Sequence, residues 1–376
     1  PCRAALGAGA PKMAPPSWRR AAAHLALFFT TVCFSAWNVL AESVTGKGLG
    51  ALLICALRDT TSLLCLAATL LLRGRCRRHA RARSGAAMEE AEACRTCDDR
   101  PVWTGPGSRR DWFLLAAVGL AGPFLSPLAC ILCVTWSSGD TSAILNALTP
   151  ACAGLLATLF GFERPSWCLA LALSLGTAAG LLAVGSPMSS MEAQGPTSGF
   201  AAGVIAGLVA VLCQGSFFVL LRPLQQTSRG RPPLDALTLI TYAYAFAATA
   251  SLATCLVAVE AEGFSLLAWL RSEGGRQLLL ALYGGAVCGA LSFGLITWAS
   301  ESVQASVCAL YGVLQPPCTA LMAFAAKGEA LTMGGLASGA LALLSLVCAT
   351  AGPSLVVARR EALCRPLTGG AEAEGA

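Results

Sequence analysis

The sequence predicts an all-α polytopic membrane protein of ten transmembrane helices, arranged as two inverted five-helix repeats. Three observations carry this. The chain of 376 residues is 56% hydrophobic and only 12% charged, with a mean hydropathy of +0.66, where a soluble domain carries about 25% charge. Ten apolar runs are each long enough to cross a bilayer, which takes roughly 20 residues. One signature occurs in both halves: ALTPACAGLLATLFGFE, with Pro150 thirteen positions before Glu163, and VLQPPCTALMAFAAKGE, with Pro316 thirteen positions before Glu329.

The runs lie at about 21–40, 50–72, 112–134, 140–160, 168–185, 200–221, 236–259, 277–298, 303–325 and 334–357. They do not alternate polar and apolar residues, as barrel strands would. The first follows Lys12, Arg19 and Arg20 without a small-residue cleavage site, so it reads as a retained span rather than a cleaved signal. Met13 is the candidate initiator, since the sequence opens on Pro1. Gly203 with Gly207, Gly176 with Gly180, Gly285 with Gly289 and Gly335 with Gly339 read as seams where helices approach closely.

Arginine sorts between alternate connections. Arg19 and Arg20 precede run 1, ten arginines from Arg73 to Arg110 separate runs 2 and 3, Arg222, Arg229 and Arg231 follow run 6, and Arg359, Arg360 and Arg365 follow run 10. The opposite connections hold only Lys47, Arg271, Arg276 and Lys327. The positive-inside rule then puts both termini in the cytoplasm; the membrane itself, plasma or organelle, is left open. The net charge of +6 sits in juxtamembrane patches that set topology or meet anionic lipid, and gives no reason to expect nucleic acid. The halves are 18–186, with a basic cytoplasmic loop at 73–111, and 199–358; residues 359–376 read as a disordered tail. Five helices per half is an odd number, so the second half enters the membrane in the opposite sense.

The 18 cysteines lie mostly inside the runs, where Cys acts as a small apolar side chain. Cys94 and Cys97 form a lone CxxC in a polar loop, with Cys76 and His79 as the nearest second pair. The loop reading is preferred to zinc, and no metal or cofactor is expected. His24 and His79 are the only histidines and neither is deep in a run, which argues against a Ser–His protease; Asp59 is the one candidate for a paired-aspartate site. The chain is not read as an enzyme.

Certain residues in the runs invite a solute. Arg58 lies about eight residues into run 2, roughly 12 Å at 1.5 Å per residue, where a charge must face a wet cavity or a partner. Two roles are open to it: an anchor for a substrate carboxylate, or a structural salt bridge with Asp59 or Asp140. The amides Asn38, Asn146, Gln214 and Gln315, with Gln304 beside run 9, offer donors and acceptors to a polar solute or to neighbouring helices. Trp37, Trp298, Tyr242, Tyr244 and Tyr311 are aromatic cavity candidates. The two-residue spacing of Tyr242 and Tyr244 lets at most one point inward. Pro150 and Pro316 break or start their helices, and Glu163 and Glu329, at helix ends, suit capping or loop pairing.

These residues resemble the EamA-domain transporters of the drug/metabolite transporter superfamily, with two EamA repeats in tandem. FSAWNVL (Phe34 to Leu40) is similar to the family's Trp-Gly opening, with Ala36 in place of the glycine and the order altered. QGSFFVL from Gln214 is a second copy. Arg58 in ALRDTTSLL matches the family's single arginine of the second helix, and the Pro-x12-Glu signature recurs in helices 4 and 9. The resemblance covers nearly the whole chain and implies a secondary transporter of a small metabolite, such as an amino acid, nucleobase or organic acid, with a midplane cavity between the halves. Its expected partners are a small-molecule substrate and membrane lipid, as monomer or homodimer. Two departures matter. Run 1 lacks the embedded glutamate of the four-helix multidrug relatives, and runs 7–10 lack the basic residues with which nucleotide-sugar and triose-phosphate branches meet phosphate. A phosphate-type antiporter and a non-transporting structural membrane protein are the alternatives.

Overall fold

The computed structural model describes residues 17–44, 49–85, 106–137, 142, 145–163, 166–185, 199–226, 233–262, 274–328 and 333–364. Among them every regular element is helical. Run 1 forms α1 (Ser17–Val44) and run 2 forms α2 (Leu49–Gly85). α2 continues through the basic stretch that the sequence assigns to a loop, because the Arg and Ala residues there are good helix formers. Run 3 is one continuous rod made of α3 (Arg109–Gly119), a π-helical turn (Leu120–Leu125) around Pro123, and α4 (Ser126–Trp136). Proline lacks the N–H that a regular turn would use, and the widened turn accommodates it. Ser108 caps α3 in a capping box with Asp111.

Run 4 becomes α5 (Thr149–Leu159), run 5 α6 (Trp167–Gly185), run 6 α7 (Phe200–Gln225) and run 7 α8 (Ala236–Glu262). Run 8 repeats the construction of run 3: α9 (Gly274–Tyr283), a π-helical segment (Gly284–Ser292) and α10 (Phe293–Ala299). Here the cause is glycine. A Cβ at Gly285 would strike the Arg58 backbone and Thr61, and one at Gly289 would strike Ser62, so the bare backbone lets run 8 lie against α2. Run 9 is α11 (Ala305–Leu310), a 3-10 turn (Tyr311–Leu314) and α12 (Gln315–Lys327); run 10 is α13 (Met333–Cys364), which continues past 357 into the segment read as a tail.

Pro150 and Pro316 hold the same place. Each sits in the first turn of its helix, α5 and α12, where no N–H is required. A tightened turn precedes each of them, at Ala147–Leu148 and at Tyr311–Leu314. Each helix is followed by a left-handed glycine, Gly161 with φ +72° and Gly328 with φ +74°. Glu163 follows the first of these; Glu329, which follows the second, lies outside the described residues, as do Asp140, Cys94 and Cys97.

Eight helices are long and apolar enough to cross a membrane among the described residues, and two shorter apolar ones, Thr149–Leu159 and Trp167–Leu182, correspond to runs 4 and 5. The outer surface carries Phe113, Leu155, Leu256 and Val257, all well exposed, while the buried interior mixes many Ala and Ser with Leu, Ile and Phe. An apolar exterior of this extent is a lipid-facing surface. The protein is an all-α polytopic membrane protein.

The packing has an internal symmetry. α2 lies against α8, α6 against α13, and α5 against α11. α1 packs on α12 as α7 packs on α5. α1 also packs on run 8 as α7 packs on run 3. Exchanging each run of one half with its counterpart in the other maps these principal contacts onto one another. Serine hydroxyls join α13 to α6, Ser338 donating to Ala179 O at 2.7 Å and Ser345 to Ala172 O at 2.6 Å.

Candidate functional site

A cavity of about 610 Å³ lies between α1, α4, α5, α7 and run 9. On α1 its lining is a stripe of Leu27, Thr30, Thr31, Phe34 and Asn38, the three- and four-residue spacing of one helix face. α4 gives Ser126 and Cys130; the turn into α5 gives Asn146, Thr149 and Pro150; α7 gives Gln214 and Phe218, one turn apart. Run 9 supplies Tyr311, Gln315, Pro316 and Thr319. The helix-breaking turns before both prolines therefore face one space, where irregular membrane backbone is tolerated.

Of the residues singled out in the sequence, Asn38, Asn146, Gln214, Tyr311, Gln315 and both prolines line this cavity. The others do not. Trp37 packs on Gly284, where a Cβ would meet its ring. Tyr242 meets Trp112 edge-on at 5.3 Å. Tyr244, 1% exposed, meets Phe293 edge-on at 5.8 Å. Trp298 packs against the core.

Arg58 is not in the lining either, and the reason is electrostatic. Its Nε and Nη2 donate to Asp59 Oδ1 at 2.9 and 2.8 Å, and Nη2 also donates to Pro123 O, in the π-helical turn, at 2.9 Å. The other oxygen of Asp59 accepts from Ser251 Oγ at 2.5 Å. A carboxylate that is 1% exposed needs such partners, and the pair ties α2 to run 3 and α8. Of the two roles open to Arg58, the structure has the salt bridge, with Asp59.

The cavity wall is built differently. Tyr311 OH is 2.9 Å from His24 Nδ1, Thr31 Oγ1 is 3.1 Å from both Leu27 O and Tyr311 O, and Asn146 Nδ2 reaches Cys130 Sγ at 3.7 Å. Among the described residues, the side-chain amides of Asn38, Gln214 and Gln315 have no protein partner, and Thr319 Oγ1 is buried without one. The threonines and Ser126 carry no mark in the sequence that sets them apart, and Cys130, which reads there as a packing residue, lines the cavity. The i, i+4 pairs Asn146/Pro150 and Gln315/Thr319 and the α1 stripe were the available signal.

At the end of the bundle where α1 begins, polar contacts draw the halves together. Glu163, 6% exposed, accepts from Ser306 N at 3.2 Å and from Ser306 Oγ at 2.5 Å, which caps the first turn of α11. Arg222 donates to Val303 O. Arg19 pairs with Glu301 at 2.6 Å, and Arg73 pairs with Asp235. The cavity lining extends the other way, to Val39 on α1 and Ala323 on α12.

Two comparisons bear on this arrangement. Residues 201–351 match the EamA-like transporter family. A crystal structure 15% identical in sequence superposes with a TM-score of 0.66, covering 91% of this chain and 99% of its own; at that identity the likeness is one of fold. The second half of the chain is thus similar to the EamA-like transporter family, and the many apolar helices of spanning length make the protein a multi-pass membrane protein.

Proposed function

We propose that the chain moves a small metabolite across the membrane by alternating access, with the cavity between its halves as the solute site. The observation that carries the reading is that both halves contribute the same elements, a proline turn and one face of the opening-motif helix, to one cavity. The proline turns bring Asn146 and Pro150 from one half, Gln315 and Pro316 from the other, and the two copies of the opening motif bring Asn38 and Gln214. Halves related by an inverted repeat can exchange conformations, giving two states of similar energy that open to opposite sides. In this reading α5 and α6 complete ten spans, both termini are cytoplasmic, and the contacts of Glu163, Arg19, Arg73 and Arg222 close the cytoplasmic end.

A transporter fold that has lost transport would have no use for amides left without partners around a cavity, which disfavours the structural alternative. A phosphate-type antiporter is disfavoured because no Lys or Arg is among the described lining residues. The test is solute counterflow in proteoliposomes, with the full-length chain and a panel of radiolabelled metabolites. Uptake that saturates and depends on the same unlabelled solute inside supports the reading. A panel without any such uptake overturns it.

A further inference from the structure

Resting on that reading, we infer that the transported solute is uncharged and recognised by hydrogen bonds alone, a polar molecule of nucleoside or monosaccharide size carrying both donors and acceptors. Three observations lead there. First, none of the described residues lining the cavity is Asp, Glu, Lys or Arg. The cationic side chain nearest in sequence logic, Arg58, is already committed to Asp59 and to Pro123 O, and Asp59 is committed in turn to Ser251. A charged solute would leave water for a low-dielectric space without a countercharge, and buried charges are tolerated only when paired.

Second, what the cavity does offer is hydrogen-bonding capacity not used within the protein. Asn38, Gln214 and Gln315 each present an acceptor oxygen and a two-proton donor to one space, with no described partner for either. Thr319 Oγ1 adds a buried hydroxyl in the same condition. Buried polar groups in native proteins are nearly always satisfied, so Thr319 Oγ1 points to a ligand that completes it; the amides, open to the cavity rather than buried, are placed to bond the same ligand in exchange for water. Since each amide both donates and accepts, the complementary ligand must do both. The hydroxyls of a sugar and the N–H and C=O edge of a nucleobase share that chemistry.

Third, Phe34, Phe218 and Val313 give the same cavity apolar wall. The solute therefore has an apolar face beside its polar edge. A site built this way rejects solutes that leave its amides unpaired far more strongly than a purely apolar pocket could.

The test uses the full-length protein in proteoliposomes and six radiolabelled probes: uridine, glucose, alanine, arginine, succinate and glucose 6-phosphate. Counterflow of uridine or glucose, with none of the four charged or zwitterionic probes, is expected. Asn38→Leu and Gln214→Leu should each lower that counterflow at least tenfold while the protein stays monodisperse on size-exclusion; if the leucine variant does not fold, Asn38→Ala and Gln214→Ala replace it. Counterflow of alanine, arginine, succinate or glucose 6-phosphate overturns the inference and leaves the transport reading standing. Neutral counterflow that survives both variants within twofold overturns the role given to the amides. Counterflow of none of the six defeats the transport reading itself.

Discussion

Two polar regions share this bundle. Around Arg58, every contact is internal: guanidinium to carboxylate, guanidinium to the Pro123 carbonyl, carboxylate to the Ser251 hydroxyl. Around the cavity, the amides of Asn38, Gln214 and Gln315 have no hydrogen-bond partner among the described residues. The difference follows from cost. A charge inside a membrane bundle is too expensive to leave waiting for a ligand, so it is paired within the protein. A neutral amide costs far less to leave unpaired, and any water in the cavity can meet it until a solute arrives. Glu163 follows the first pattern, its charge held by Ser306 across the two halves.

The largest expected effect comes from opening the paired region. Asp59→Leu leaves Arg58 buried without its acid, at a cost of about 3–5 kcal/mol, and should appear as a lowered melting temperature and loss of monodisperse protein. Replacing both, as Arg58→Leu with Asp59→Leu, should recover much of that stability. A double variant as unstable as the single one would break the description of the pair as a closed unit.

Ser306→Ala removes the hydroxyl bond to a charged group, worth about 1.5–3 kcal/mol. If Glu163 holds one end of the bundle shut, the variant should increase alkylation of a cysteine introduced at Ala309, when reagent is applied from the cytoplasmic side. Unchanged alkylation would confine Glu163 to capping. Smallest is Thr319→Val. An isosteric methyl replaces a buried hydroxyl that has no partner, so stability should be unchanged or raised by up to about 1 kcal/mol while uptake falls. A clear loss of stability would show that Thr319 belongs with the paired region instead.

Much of the architecture was legible in the sequence because bilayer physics writes long apolar runs and the chain repeats its proline signature. The π-helical turns were not, since Pro123 and the pair Gly285 and Gly289 look like ordinary interruptions until α2 is packed beside them. Arg58 was visible as a residue needing a partner, but a charge in a run carries no label saying whether the partner is a protein acid or a solute; neighbouring Asp59 decides it through side-chain geometry alone. Run 4 has a helix shorter than its apolar length, because the chain turns at Ala147–Leu148 before Pro150. In the site, amides were found by type, whereas Thr30, Thr31 and Thr149 were hidden because threonine in a membrane helix usually bonds back to its own backbone, as Thr30 does to Leu27 O.

The central claim is that the uncharged cavity is where the solute sits. It is tested most directly by placing a single cysteine at Gln315 in a cysteine-depleted background and reacting it with a membrane-impermeant thiosulfonate, with and without transported solute. The account predicts labelling from the side opposite the cytoplasm, slowed at least fivefold by saturating solute. Labelling at Gln315 that is indifferent to a solute the protein demonstrably transports would contradict it.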